Sequence, residues 1–435
     1  MHGFHYQNSE LFCDGVGLAS LAKAHGTPLY VYSANTILDH YQRLDAGLAG
    51  VDHLVCFAMK ANSNLAILNL LAKAGSGFDI VSGGELYRVV KAGGDPTKCT
   101  FAGVGKTRDE IIYALQQGVY SFNVESEAEL RYINEVAGEL GMVAPVAVRL
   151  NPNVDAKTHA KISTGKSENK FGIEFEAIAA VYARAFRELP NVKLRGVQMH
   201  IGSQITSVNP FAQAVEKVLP LVAELKALYG LEFFSIGGGM GIIYQDSLAS
   251  GATKWWDDKR RSGEPLPLTI EEYASTLLPM LKKLDLRILL EPGRFMVGNA
   301  GVLLTKVLYE KHGSVKTFKI VDAGMNDLIR PTLYEGHHEI VPVQQAKAGA
   351  VKELVDVVGP ICESGDFLAQ NREIAPIKAG DLLAVMSAGA YGFVMASNYN
   401  TRPLPAEILV VGDKAHVVRR RQTLDDCLAG ETIIE

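Results

Sequence analysis

The sequence predicts an α/β protein: a (β/α)8 barrel with a second, mostly antiparallel β domain of Greek-key or β-sandwich type. Between residues 53 and 294, strand-sized apolar runs alternate with stretches of helical spacing, a pattern typical of a parallel sheet. Eight such runs within about 250 residues match the size of a (β/α)8 barrel. After Arg294 the apolar runs follow one another with little helix between them, which indicates an antiparallel domain.

The eight predicted barrel strands are HLVCFAMK (53–60), GFDIVS (77–82), CTFAG (99–103), YSFNVES (120–126), VAVRLN (146–151), LRGVQMHIG (194–202), EFFSIGGG (232–239) and LRILLEPGR (286–294). Helices are expected between them. LAILNLLAKAG and ELYRVVKAGG end in glycine, as a helix C-cap prefers, and TRDEIIYALQQG begins with a capping-box pattern. Periodicity cannot show closure, so a doubly wound sheet is also compatible with this rhythm.

The predicted domains are a barrel over residues 36–285 and a β domain over 1–35 and 286–435. The β-domain strands are expected in GVLLTKVLYEK, FKIVDAG, EIVPV, LVDVVGP, DLLAVMSAGAY, AEILVVGD and AHVVRRR, and LYVYS (29–33) is expected to join them.

Length and composition narrow the class of protein. A chain of 435 residues is too long for one ordinary core, and 48% hydrophobic with 21% charged residues is typical of a globular protein. A net charge of −5 without a long basic block argues against a nucleic-acid partner. No apolar run approaches the ~20 residues of a membrane span, and the N-terminus lacks a signal-peptide pattern. Five scattered cysteines without a CxxC pair predict no metal site and a reduced, cytoplasmic location.

Polar residues collect at the predicted carboxyl ends of the strands, where a (β/α)8 barrel places its active site. These residues are Lys60, Asp79, Glu85, Glu125, Arg149, His200, Ser203, the glycines 237–239 and the segment from Glu291 to Arg294. One polar strand end means little, but eight together favour an active site at the barrel mouth.

Lys60 is the most unusual of them, because the apolar strand VCFAMK delivers it into the small polar run ANSN. One interpretation is an ammonium that reaches water from a strand end. The other is a lysine held as a nucleophile.

A glycine run and the EPGR segment predict a phosphate site. GGGMG follows the seventh strand and lacks the spacing of a dinucleotide-binding loop. Beside EPGR on the eighth strand, it occupies the usual phosphate position of barrel enzymes. A lysine for a Schiff base, a histidine ring (His200) and an acid for the ring nitrogen (Glu291) then suggest pyridoxal phosphate. His200 could equally be a satisfied core histidine.

With these motifs in view, the sequence resembles the barrel-type (fold type III) pyridoxal-phosphate decarboxylases along nearly its whole length. The matching segments are FAMKAN, FDIVSGGE, NVES, RLNP, KFGI, HIGSQ, GGGMG, EPGR, DAGMNDLIRPTLY, CESGD and AGAYG. The resemblance implies that Lys60 carries the cofactor, His200 stacks on its ring and Glu291 pairs with its nitrogen. It also implies a homodimer in which Cys362 and Glu363 enter the partner's active site.

The candidate residues follow from these arguments. The cofactor-binding candidates are Lys60, Asp79, His200, Ser203, Gly237, Gly238, Gly239, Glu291, Pro292, Gly293, Arg294 and Tyr391. The catalytic candidates are Lys60, His200 and Cys362, and either Lys60 or Cys362 could return a proton to the substrate after carbon dioxide leaves. Cys362 depends chiefly on the resemblance, because a lone cysteine is usually structural.

The substrate expected from the resemblance is meso-diaminopimelate, which would yield L-lysine and carbon dioxide. Its distal end carries a carboxylate and an amine. Arginine can fork onto a carboxylate, which suits Arg294 and Arg330; Tyr334, Tyr391 and Glu363 complete the substrate-binding candidates. The alternative for Arg330 is a surface salt bridge, but the apolar residues around Arg330 in DLIRPTLY make this interpretation weaker.

Other functions remain compatible with the pattern. A decarboxylase of the ornithine, arginine or carboxynorspermidine type would share the barrel and cofactor but recognise a distal cation. An alanine-racemase-like enzyme would not be expected to need CESGD or Arg330. A non-catalytic binding protein would be expected to have lost Lys60 or Cys362. One segment, 245–269, is longer than expected and carries both tryptophans; we expect a surface insertion or dimer contact, with a lid as the alternative.

Overall fold

Eight parallel strands close into a barrel between His53 and Leu290. The computed structural model describes residues 1–155, 170–347 and 349–434. The described chain divides into two units, one of residues 38–242 and 267–296, the barrel unit, and one of 1–37, 243–266 and 297–435, the β unit.

The strands are β1 (Phe4–Gln7), β2 (Glu10–Cys13), β3 (Val16–Gly17), β4 (Leu29–Ser33), β5 (His53–Ala58), β6 (Gly77–Ile80), β7 (Cys99–Phe101), β8 (Ser121–Val124), β9 (Ala144–Asn151), β10 (Ile173–Glu174), β11 (Val192–Met199), β12 (Phe233–Ser235), β13 (Arg287–Leu290), β14 (Gly301–His312), β15 (Thr317–Val321), β16 (Ile340–Pro342), β17 (Glu353–Val358), β18 (Phe367–Ile374), β19 (Leu382–Val385), β20 (Ala406–Val411) and β21 (Lys414–Arg419).

The α-helices are α1 (Leu18–His25), α2 (Ala34–Gly47), α3 (Leu65–Lys73), α4 (Gly83–Lys91), α5 (Arg108–Gln117), α6 (Glu127–Glu139), α7 (Ile178–Glu188), α8 (Asn209–Tyr229), α9 (Thr253–Ser262), α10 (Ile270–Leu281), α11 (Arg294–Val297), α12 (Arg330–Tyr334) and α13 (Leu424–Cys427).

Strand pairing confirms the predicted barrel and excludes a doubly wound sheet. The order is β5-β6-β7-β8-β9-β11-β12-β13, and β13 pairs in parallel with β5. Apolar side chains such as Cys56, Ala147, Phe233 and Leu289 fill its interior. Because β13 is a barrel strand, the barrel unit runs to residue 296, past the predicted boundary at 285.

Side-chain caps begin three of the barrel helices directly after the loops that follow β6, β7 and β8. Ser82 and Ser126 cap α4 and α6 by accepting a hydrogen bond from the backbone N–H three residues later. Thr107 and Glu110 form the predicted capping box of α5. Each cap ends the loop that follows a strand, and so fixes the polar residues in that loop at the barrel mouth.

The β unit confirms the predicted, mostly antiparallel domain. Its main strand path is β18-β17-β15-β14-β4-β20-β21, with β19 pairing β14 and β16. The first half of β14 pairs with β4 and β19, and its second half pairs with β15. As predicted, β4 from the N-terminal segment lies inside this sheet. Two pairs are parallel, β15 with β17 and β4 with β20.

Strand β18 was not predicted, because Gln370, Asn371, Arg372 and Glu373 follow one another and its pairing with β17 is bulged. The antiparallel meander β1-β2-β3 was not predicted either. Among the described residues, no helix is long and apolar enough to cross a membrane.

Candidate active site

Lys60 lies in a single 3-10 turn, Met59–Ala61, directly after β5. Its ammonium donates a hydrogen bond to Asp79 Oδ2 at 3.0 Å. Asp79, near the end of the neighbouring β6, is 1% exposed, whereas 42% of the Lys60 side chain is accessible. A buried carboxylate therefore orients an amine that reagents at the barrel mouth can reach.

Glu291 is a buried carboxylate that three strands supply with donors. Its oxygens accept hydrogen bonds from Ser235 Oγ at 2.7 Å, Gln198 Nε2 at 2.9 Å and Asn123 Nδ2 at 3.2 Å. Burial raises the pKa of Glu291 above its ordinary value, and the charge of Asp79 adds to this effect. A cation placed against Glu291 would lower this pKa again.

These three donors were not predicted. Asn123, Gln198 and Ser235 lie within β8, β11 and β12, and a polar residue with apolar neighbours on both sides is the sequence signal that could have found them.

His200 follows β11 and presents a neutral ring. The backbone N–H of Gly238 donates to its Nδ1 at 3.3 Å, so the ring proton lies on Nε2. Burial, with Arg149 and Lys60 as nearby cations, lowers the pKa of His200 well below its usual value. An uncharged imidazole of this kind is suited to stack on a flat conjugated group.

The glycine run leaves no room for side chains. A Cβ on Gly237 would overlap the carbonyl oxygen of Met199, and one on Gly238 would overlap that of Glu291. Gly237 and Gly239 also have positive φ, at 70° and 117°. Bare backbone at this position is what close approach of a phosphate requires.

Ser203 and Arg294 lie together beside this run, and Arg294 Nη2 donates to Ser203 Oγ at 3.1 Å. Arg294 is the first residue of α11 and directly follows Pro292 and Gly293. A Cβ added to Gly293 would lie 3.2 Å from Ala58 and from Ala61. The EPGR segment therefore packs closely against the turn that carries Lys60.

A buried ion pair joins two further strand ends. Arg149 Nη1 lies 2.8 Å from Glu125 Oε1. Within the described residues, Arg149 Nη2 is a buried donor without a hydrogen-bond partner. An acceptor-rich ligand beside His200 would satisfy it.

These residues fit pyridoxal phosphate. The barrel mouth offers an amine, a buried acid, a neutral ring, bare backbone beside an arginine and an unsatisfied donor. The structure thus brings together the predicted Lys60, Asp79, His200, Ser203, Gly237, Gly238, Gly239, Glu291, Pro292, Gly293 and Arg294 within one unit.

The remaining candidates lie in the β unit. Arg330, the first residue of α12, is 7% exposed, and Tyr334 closes the same helix. The Arg330 guanidinium lies 2.6 Å from His338 Nε2. Arg330 is therefore a buried residue, which argues against the surface salt bridge considered as the alternative. Tyr391 is half-buried with a φ of 56°, a strained conformation for tyrosine.

Cys362 and Glu363 are exposed on this unit. The Cys362 N–H donates to Asn400 Oδ1 at 3.0 Å, and Tyr399 donates its hydroxyl hydrogen to Glu363 at 3.0 Å. These contacts hold the backbone of Cys362 and the carboxylate of Glu363 at the surface of the β unit.

Comparison with known proteins agrees with this geometry. A protein-family model described as "Pyridoxal-dependent decarboxylase, pyridoxal binding domain" matches residues 34–298. The diaminopimelate decarboxylases of Pseudomonas aeruginosa and Vibrio cholerae are 51% and 48% identical, each over 100% of both chains. A crystal structure of diaminopimelate decarboxylase from M. jannaschii in co-complex with L-lysine has a TM-score of 0.90 and 38% identity, covering 100% of this chain and 99% of that one. The resemblance predicted from the motifs is confirmed.

Proposed function

The chain belongs to the diaminopimelate decarboxylases, and from that membership we propose how its own residues perform the reaction. The enzyme depends on pyridoxal phosphate and converts meso-diaminopimelate to L-lysine and carbon dioxide. When bound, the cofactor supplies an electron sink for the negative charge that remains on the α-carbon as carbon dioxide departs.

Lys60 holds the cofactor covalently, and Asp79 keeps its amine oriented. Glu291 would hold a proton on the ring nitrogen of the bound cofactor, since a cation there would offset the burial that raises the pKa of Glu291. The observation that carries this assignment is the close set of donors on Glu291, which favours its charged form even though it is buried. His200 stacks on the ring.

The backbone of Gly237, Gly238, Gly239 and Gly293 would bind the phosphate, together with Ser203 and Arg294. After carbon dioxide leaves, the α-carbon must receive a proton. Cys362 and Lys60 are the two candidate donors, and Tyr391 borders the cofactor.

Arg330 recognises the distal carboxylate of the substrate. A buried guanidinium is costly unless an anion or acceptor meets it, and a carboxylate matches its planar fork. Arg294, Tyr334 and Tyr391 add donors, and Glu363 takes the distal amine. A distal carboxylate is the feature that separates diaminopimelate from ornithine and arginine.

We also infer a homodimer with shared sites, in which Cys362 and Glu363 of one chain enter the active site of the other. Their exposure on the β unit supports this arrangement. A cytoplasmic location is proposed from the odd, scattered cysteine set, and cell fractionation would test it.

Replacing Arg330 by alanine tests the substrate assignment. We expect Arg330→Ala to bind pyridoxal phosphate normally, as seen in its absorption spectrum, while kcat/KM for meso-diaminopimelate falls by the equivalent of about 2–5 kcal/mol. Carbon dioxide and lysine are both measured. Arg43→Ala, which breaks a surface ion pair with Glu271, is the control and should stay near the parent. An Arg330→Ala enzyme within a few-fold of the parent would remove Arg330 from the substrate site.

A further inference from the structure

His338 is a fully buried histidine that contacts Arg330 inside the β unit. Its Nε2 lies 2.6 Å from Arg330 Nη1, and its Nδ1 lies 2.8 Å from the carbonyl oxygen of Met386. No sequence motif pointed to this residue.

The two contacts fix the tautomer of the ring. A carbonyl oxygen can only accept, so Nδ1 carries the hydrogen; a guanidinium can only donate, so Nε2 is a bare acceptor. His338 is therefore the neutral Nδ1–H form. A neutral acceptor orients the Arg330 guanidinium without cancelling its positive charge, as a carboxylate at the same place would.

The aromatic ring of Tyr244 lies against both Arg330 and His338. Its ring centroid lies 4.5 Å from the central carbon of the Arg330 guanidinium and meets the His338 ring edge-on at 5.1 Å. A guanidinium stacked on an aromatic face loses rotational freedom but keeps its charge. Tyr244 belongs to the β unit and lies directly before the unusual segment 245–269.

The backbone that carries His338 is itself held. Arg372, on β18, donates to the carbonyl oxygen of His338 at 2.7 Å. On the other side, the Ser247 hydroxyl lies 2.6 Å from that of Ser387, and Leu248 N–H donates to Glu339 at 2.7 Å. These bonds attach the chain around Tyr244 to the strands around His338.

We propose that His338 and Tyr244 are positioning residues for Arg330, which aim its guanidinium at the distal carboxylate and so select substrates that carry one. The proposal rests on the proposed role of Arg330 as the carboxylate ligand. It gives Tyr244, which lies between the glycine run and the segment 245–269, a part in substrate selection.

Two matched ligands isolate the carboxylate contact. The product, L-lysine, retains the distal carboxylate, and cadaverine is the same chain without it. We would measure inhibition constants of both against meso-diaminopimelate, and L-lysine binding by calorimetry, on the cofactor-loaded enzyme. His338→Asn keeps a donor for Met386 but removes the acceptor for Arg330, whereas His338→Gln keeps an acceptor at the Nε2 position.

We expect His338→Asn to weaken L-lysine binding about tenfold and to raise KM for meso-diaminopimelate similarly, with kcat little changed. Cadaverine inhibition should move by less than about twofold, because it makes no carboxylate contact. His338→Gln should restore most of the lysine affinity. Adding His338→Asn to Arg330→Ala should weaken lysine binding no further, because both substitutions act on the same contact between Arg330 and the carboxylate.

Tyr244→Leu and Tyr244→Phe repeat the test on a partly exposed residue, should His338→Asn fold poorly. Leucine should weaken lysine binding selectively, and phenylalanine should not. If Arg330→Ala leaves lysine binding unchanged, the proposed role of Arg330 is wrong. If Arg330→Ala weakens lysine binding but neither His338→Asn nor Tyr244→Leu does, or if both affect lysine and cadaverine equally, the positioning role alone is wrong.

Discussion

At the scale of single residues, two buried carboxylates of this chain, Glu291 and Asp327, differ in the donors that meet them. Glu291 in the barrel unit has three side-chain donors. Asp327 in the β unit is 2% exposed and accepts from the Gly324 N–H at 2.9 Å and from Asn326 at 3.3 Å. The three donors on Glu291 suit a carboxylate that works as an anion, whereas Asp327 has fewer and weaker ones.

Asp327 gives a pH prediction. Burial raises its pKa from an ordinary 3.8 to about 7. Between these values the folded chain holds a proton that the unfolded chain has released, so this residue costs stability as pH rises, at about 1.4 kcal/mol per pH unit. Asp327→Asn cannot ionise, and the Oδ1 of Asn326, which has no hydrogen-bond partner among the described residues, can turn to accept from the new amide.

The melting temperature of Asp327→Asn minus that of the parent should therefore increase as pH rises from about 5 to about 8. Asp285→Asn, at an almost fully exposed position, is the control and should show no such trend. A difference between Asp327→Asn and parent that is constant with pH, or that shrinks, would show that Asp327 is ionised in the folded protein.

The residues that could be predicted are those with a local signal. Lys60, His200 and Glu291 each end an apolar run, and strand ends of a barrel meet at one mouth. His338 and Gln198 could not be predicted in the same way. Their partners are distant in sequence, so only the folded chain shows that they touch Arg330 and Glu291.

At the scale of elements, the loop after β12 shows how backbone shape makes a binding site. Gly238 has no room for a Cβ, because that atom would overlap the carbonyl oxygen of Glu291 on the neighbouring strand end. The same residue donates its N–H to His200. One glycine thus couples the loop proposed to bind the phosphate to both His200 and Glu291.

Gly238→Ala should push the loop away from Glu291 and weaken pyridoxal phosphate binding by about 5- to 150-fold, measured by fluorescence titration of the apoenzyme, because overpacking costs about 1–3 kcal/mol. Gly105→Ala is the matched control, since Gly105 also lacks a positive φ and a Cβ there meets no atom within 4 Å. Equal cofactor affinity in the two variants would show that the loop tolerates the side chain.

In the β unit, most strands could be predicted from the sequence, but their pairing could not. Seven of its strands were expected from apolar runs, and β4 was expected to join them. Strand β18 has four polar residues in succession, which hides the alternation of apolar and polar residues typical of a strand. It nevertheless carries Arg372, which donates a hydrogen bond to the backbone of His338. Which strand pairs with which, including the parallel pair β4 and β20, depends on contacts far apart in the chain.

At the scale of the whole molecule, the proposed site residues come from two units of one chain. The groups proposed to hold the cofactor lie in the barrel unit, and Cys362, Glu363 and Arg330 lie in the β unit. The sequence rhythm predicted both units because a barrel and an antiparallel domain have different periods. It did not place the boundary, since the segment 243–266 belongs to the β unit although it lies between barrel elements.

The proposed sharing of active sites across a homodimer can be tested by mixing two inactive variants. Lys60→Ala lacks the amine that holds the cofactor, and Cys362→Ala lacks the thiol, so both homodimers should be crippled for different reasons. If each site takes Lys60 from one chain and Cys362 from the other, a mixed dimer has one site with both defects and one with neither. Random exchange makes about half the dimers mixed, so activity should return to roughly a quarter of the parent. If each chain builds its own site, no mixture contains an intact one. Activity that stays at the level of the separate variants, after exchange is confirmed by mass spectrometry, would show that the site is built from a single chain.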